Sequence, residues 1–190
     1  MQEAMASDET WFALMARYNR WMNENLYAAA GRLDAPTLSK NMGAYFGSIL
    51  GTLNHLVTGD LTWMKRFAGH EALACLQPAL AGTPTPTRLS DAFFDDLDAL
   101  WRCRQQLDAA ILDFGCRVGA LPPESVLEYV SFKGVPGRRN LHALAIHFFN
   151  HQTHHRGQVT TLLMQAGVDP GVTDLLMLIP DTGEASTWMR

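Results

Sequence analysis

The chain has 190 residues, 47% of them hydrophobic and only 18% charged, so it is long enough to bury a sizeable core and is not dominated by disorder. Its 15 basic and 19 acidic residues leave a net charge of -4, with Lys40, Lys65 and Lys133 the only lysines. The electrostatic footprint of a nucleic-acid binder and the polybasic stretch drawn to a membrane surface are therefore both missing.

In chain order, Met1 to Glu9 lacks the cationic start and apolar run of a secretory signal. Trp11, Leu14, Met15, Tyr18, Trp21, Met22, Leu26, Ala29 and Leu33 recur at three- and four-residue steps. They predict a first helix, with Asp8 and Glu9 in its first turn, broken by Gly31 and Pro36. Phe46, Ile49, Leu50, Leu53, Val57, Leu61 and Met64 predict a second helix from about Lys40 to Phe67. Asn41 to Gly59 within it is uncharged and long enough to raise the question of a membrane span. Gly43, Gly47, Gly51, two asparagines and His55 point instead to a buried helix of a soluble protein. A helix without charge on any face needs more cover than one bundle core supplies, which predicts a dimer.

Residues 78–90, with four prolines and glycines, read as a loop. Ser90 then reads as the N-cap of a third helix through Phe94, Leu97, Trp101, Leu107, Ile111 and Phe114, stopped at Gly115. Val126 to Phe132 followed by Lys133-Gly134-Val135-Pro136-Gly137 predicts a short hairpin or extended connection. Asn140 caps a fourth helix lasting to about Ala166, with Gly167 beyond its end. The expected fold is all-α, an antiparallel four-helix bundle formed by one domain over residues 1–190. Cys75, Cys103 and Cys116 are odd in number and show no CxxC spacing, which suits a reduced, cytoplasmic protein.

The strongest chemical signal lies in the fourth helix. Its apolar stripe is Leu141, Leu144, Phe148, His151, His155, Val159, Leu162 and Ala166, so two histidines occupy positions that otherwise hold only apolar groups. Residues four apart stand one above the other, about 5–6 Å between Cβ atoms, and two such imidazoles can share one metal ion. The other reading is a pair of core histidines, each then needing a donor and an acceptor nearby. Gln152 stands where a zinc protease carries its glutamate, and Gln152 cannot act as a general base. No Glu-x-x-His occurs for a di-iron site, and no CxxCH for attached haem.

A third ligand has to come from elsewhere. His147 sits toward the edge of the stripe, His154 projects away from it, His70 falls near a loop and His142 at the helix start. His55 lies mid-helix on a face of small residues, Ser48, Gly51, Thr52, Gly59 and Thr62. That face either leaves room for an ion and substrate or is a packing face with His55 at its rim.

The segment His147-Phe-Phe-Asn150-His151-Gln-Thr-His154-His155-Arg156-Gly157-Gln158 closely resembles the HxxNHxxHHRGQ signature of the DinB-like family, the damage-inducible metal-binding bundle and not the polymerase of the same name. Tyr18 to Asn23 and Tyr45 to His55 also match, followed in order by Asp60, Trp63, Arg66-Phe67 and Thr173-Asp174; the third helix and hairpin match only loosely. The resemblance implies a four-helix bundle, usually a homodimer, with one divalent ion per chain held at His55, His151 and His155. Three imidazoles suit zinc or nickel best, with manganese or iron further candidates, and three protein ligands leave a position open for water or substrate.

Around these ligands, Asp60 lies on an apolar stripe and is expected to be buried, orienting a histidine, pairing with Arg156 or forming a structural salt bridge. Asn54 and Asn150, each preceding a ligand position, are expected to cap or brace backbone. Arg156 is expected to bind an anionic substrate group or to reach solvent. The resemblance implies a metal-dependent enzyme that activates a low-molecular-weight thiol for transfer or isomerisation. The alternatives are a non-catalytic dimeric metal-binding stress-response protein, or a metal-dependent hydrolase with Asp60 beside a bound water.

Overall fold

A computed structural model describes residues 10–181, so Asp8 and Glu9, expected in the first helical turn, lie outside the described residues. The fold is mostly helical, with one small hairpin. Helix α1 is Trp11–Ala30, capped by Thr10, whose Oγ1 accepts from the Ala13 amide at 3.2 Å. A short helix α2, Ala35–Ser39, follows at once, because Asp34 caps it and Pro36 occupies its first turn, where no amide donor is needed. Helix α3 is Ile49–Phe67, α4 is Leu97–Val118 and α5 is Leu141–Gln165; strands β1 (Val126–Val130) and β2 (Pro136–Asn140) pair antiparallel with Tyr129 opposite Gly137.

Three boundaries differ from the periodicity. Helix α3 begins at Ile49, not Lys40, because Gly43 and Gly47 take positive φ and Ser48 caps the helix by accepting from the Gly51 amide. Helix α4 begins at Leu97, not after Ser90. The Asp91 carboxylate gathers the Thr87 and Arg88 amides into a tight turn, and Asp96 is the actual cap. The same helix runs through Gly115, which is a contact site and not a stop: a Cβ there would lie 2.6 Å from the Phe12 carbonyl oxygen and 2.7 Å from the Ala16 Cβ. In α5 both ends follow the sequence, with Asn140 accepting from the Ala143 amide and Gly167 at φ +81° just beyond.

Helix α1 packs against α4 and α5, and α3 packs against the same two. Phe12 lies at Gly115 while Tyr27 stacks near Trp101 at 4.8 Å, so α1 and α4 are antiparallel. His55 meets His155 at 4.5 Å and Phe67 meets Phe148 at 5.8 Å, so α3 and α5 are antiparallel as well. The other two faces are parallel: Asp60 and Phe67 of α3 meet Arg104 and Phe114 of α4, and Phe12 and Asn19 of α1 meet Phe149 and Arg156 of α5. The expectation of antiparallel neighbours therefore holds for half the faces.

Parallel neighbours need a connection that returns along the helices, and residues 68–96 provide it. They form the 3-10 turns Glu71–Leu76 and Pro78–Leu80, then cross back over α3. There the Thr58 hydroxyl donates to the Asp91 carbonyl at 2.8 Å. This strap helps to cover the helical part of the uncharged stretch: residues 52–62 are buried by the chain itself, whereas none of residues 41–48 is buried and Tyr45 is 89% exposed. The sequence argument for a dimer, that one bundle core could not cover α3, is thereby answered within one copy. No helix among the described residues is long and apolar enough to cross a membrane.

Candidate metal centre

Helix periodicity alone brings the site together. His147, His151 and His155 succeed one another at one turn each on α5, and His55, Gly59 and Trp63 do the same on antiparallel α3. The ring centroids of His55, His151 and His155 lie 4.5 to 5.2 Å apart, and one ligand nitrogen from each falls within 4.8 Å of the others. Gly59 makes this approach feasible, since a Cβ there would lie 2.8 Å from Cε1 of His151. Phe46, from the loop before α3, stacks on His55 at 3.7 Å and meets His155 edge-on at 5.4 Å, walling the other side.

The donor set fits a divalent cation. Nδ1 of His55 donates to the Leu89 carbonyl at 3.3 Å, and Nδ1 of His155 donates to Oε1 of Gln158 at 2.8 Å. Each Nδ1 therefore carries its proton, and each Nε2 keeps its lone pair. Nε2 of His55 then stands 3.2 Å from Nε2 of His151, while the buried Nδ1 of His151 has no partner. Burial, with the neighbouring His155, pulls His55 down to about 4 and His151 to about 3, and burial also lowers His155. The three rings are neutral at pH 7, the form in which imidazole ligates.

The remaining candidates are distributed differently from expectation. Asp60 is fully buried and pairs with Arg104, not with Arg156 or a ligand histidine. Burial pushes its carboxyl up and Arg104 pulls it back; Asp108, 2.9 Å from the same guanidinium, is placed likewise. Arg156 is buried too, so it neither reaches solvent nor faces a substrate anion. It donates to Oδ1 of Asn19 and lies over the Tyr18 ring at 5.2 Å, and burial lowers it to about 10, still charged at neutral pH. Two arginines and two aspartates of α3, α4 and α5 thus form a balanced buried cluster, to which Asn19 ties α1 by bonding both Asp108 and Arg156.

Asn54 braces backbone, accepting from the Phe93 and Phe94 amides at 3.0 and 3.1 Å and donating to the Phe94 carbonyl at 2.9 Å. Asn150 is exposed on α5. His147 is exposed and meets Trp63 at 5.4 Å, whereas His154 accepts from Nε2 of Gln158 at 3.2 Å. His70 accepts from the Ala72 amide and His142 bonds the Val118 carbonyl, both away from the three clustered rings.

Sequence reasoning did not single out Gln158, Leu89, Phe46 or Arg104 for these roles. Gln158 was findable, because a residue three positions after His155 shares its face of the helix. The i, i+4 pair Arg104 and Asp108 amid apolar residues signalled a buried charge. Leu89 acts through its backbone, which no side-chain pattern reveals.

The helical fold and this histidine cluster define a class, and the DinB family's sequence model matches residues 1–185, so the chain belongs to the DinB family. Among characterised relatives, it is similar to protein DinB of Bacillus subtilis (strain 168), with 26% identity over 157 residues, 83% of this chain and 87% of that protein.

Proposed function

We propose that the chain holds one divalent ion through His55, His151 and His155, in a four-helix bundle of the DinB kind, and that it is a metal-dependent enzyme of the thiol-transferase or isomerase type. The observation that carries the reading is the facing of Nε2 of His55 and Nε2 of His151 at 3.2 Å, with Nδ1 of both His55 and His155 committed as donors. With the proton of His55 on Nδ1, its Nε2 lone pair faces the His151 ring at a distance from which both nitrogens can ligate one cation, and neutral imidazoles of this number suit zinc or nickel before manganese or iron. When bound, such an ion supplies Lewis acidity toward a thiolate or a water.

The protein's own part is positioning. Leu89 and Gln158 fix tautomer and ring orientation, Gly59 admits the His151 ring, and Phe46 shields His55 from solvent. Asp60 pairs with Arg104, so the hydrolase reading loses the carboxylate it relied on as a base. A homodimer is the assembly we propose, on the family resemblance alone.

Metal analysis of the purified chain tests the centre: about one ion per chain is expected, falling to near zero when His151→Ala and His155→Ala are combined. Retention of the ion by that double variant would reject the site. A thermal-shift screen of cellular thiols on the metal-loaded chain tests the enzyme reading, and stabilisation by none of them would favour a non-catalytic metal-binding protein.

A further inference from the structure

The facing sides of α3 and α5 that carry the imidazoles continue beyond them. On α3 the face marked by His55, Gly59 and Trp63 ends at Arg66, one turn further; on α5 His155, His151 and His147 run opposite in reverse order. His147 links the two ends, its ring 6.3 Å from His151 and 5.4 Å from Trp63. Arg66 then rests on aromatic rings, its guanidinium carbon 5.0 Å from the centres of Trp63 and Tyr129 and 5.3 Å from Phe132. It donates from Nη2 to the Val130 carbonyl at 3.2 Å and has no carboxylate partner among the described residues.

A second guanidinium meets it there. Arg139 pairs across the hairpin with Leu127, whose side chain is buried, so Arg139 shares the hairpin face of Leu127 and Tyr129. Its Nε donates to the Tyr129 hydroxyl at 3.1 Å, and it too lacks a carboxylate partner among the described residues. The neighbouring Arg138 is different: it lies on the opposite face, bonded to Glu128 at 3.3 Å. Two guanidinium groups therefore converge on one tyrosine, with forked donors left over and no acid paired to either among the described residues. A planar fork of this kind matches a carboxylate.

We propose that Arg66 and Arg139 form an anion subsite at the hairpin end of this α3–α5 face, taking the carboxylate of a small molecule whose reacting group lies at the three histidines. The substrate class is an acid with its reacting group roughly 10 Å from the carboxylate, the rise from Gly59 to Arg66 along α3. The reacting end rests on the metal reading above; the carboxylate end does not.

The test separates the two. Zinc-loaded chain is titrated calorimetrically with mercaptocarboxylates of increasing length, from mercaptopropionate to mercaptooctanoate, each beside its mercaptoalcohol of equal length. The thiol reports on the ion and the acid-to-alcohol ratio on the subsite. An acid preference of about 10-fold is expected at the spanning length, lost in Arg66→Gln and in Arg139→Gln and kept in Arg138→Gln. Saturation-transfer NMR of hexanoate with metal-free chain gives the arm independent of zinc, and its signal is expected to weaken in the same two variants. Zinc and thiol binding without acid preference at any length would overturn the subsite alone. Arg66-dependent hexanoate binding by a chain that takes up no zinc would keep the subsite and retire the metal reading. Melting curves of both variants accompany the titrations, and two folded variants that retain the preference would sink the proposal.

Discussion

At the scale of single residues, the site depends on atoms that are not themselves ligands. Gln158 holds the proton on Nδ1 of His155, and Gln158→Leu is expected to weaken ion affinity about 10- to 100-fold, read by competition with a chromophoric chelator. Gly59→Ala places a methyl 2.8 Å from Cε1 of His151 and displaces that ring; the expected result is a chain that folds but binds the ion at least about 10-fold more weakly, by the same assay. Retention of full affinity by Gly59→Ala would mean that the His151 ring is free to move. The ligands were legible because histidines on an apolar stripe are conspicuous. Of their partners, Gln158 could be read from its spacing to His155, whereas the Leu89 carbonyl leaves no mark in any side-chain pattern.

Among the elements, α5 shows what capping residues can specify: Asn140 and Gly167 mark its ends in both sequence and structure. Helices α3 and α4 show where periodicity misleads. Phe46 and Phe93 continue an apolar stripe at helical spacing, yet each lies in a loop that a side-chain oxygen of Ser48, Asp91 or Asn54 has pulled out of helical geometry. Gly115 read as a stop because glycine often ends helices, whereas here it lets α1 touch α4. Gly115→Ala is expected to destabilise the fold by about 1–3 kcal/mol in urea denaturation, since the overlap is with backbone and cannot be relieved by a rotamer change.

For the whole molecule, the buried charges Asp60, Arg104, Asp108 and Arg156 come from α3, α4 and α5, and Asn19 and Asn23 of α1 hydrogen-bond to them, so the cluster joins all four long helices. Arg104→Met leaves two buried carboxylates without their main counter-charge, and a loss of about 3–5 kcal/mol is expected by denaturant titration. The parallel face between α3 and α4 could not be foreseen, because sequence spacing does not tell whether a long connection turns back early or travels the length of the helices. The proposed homodimer is checked by size-exclusion chromatography with light scattering: a mass of twice the chain is expected, and a clean monomer would remove it.

The acceptor that the strap offers to His55 is a main-chain carbonyl, and the side chain attached to it is 53% exposed. Any amino acid except one that distorts the turn presents that same oxygen. Position 89 is thus a free variable at the rim: it can be randomised to alter what enters without detuning the ring beneath, which makes it a natural first choice for a selectivity library.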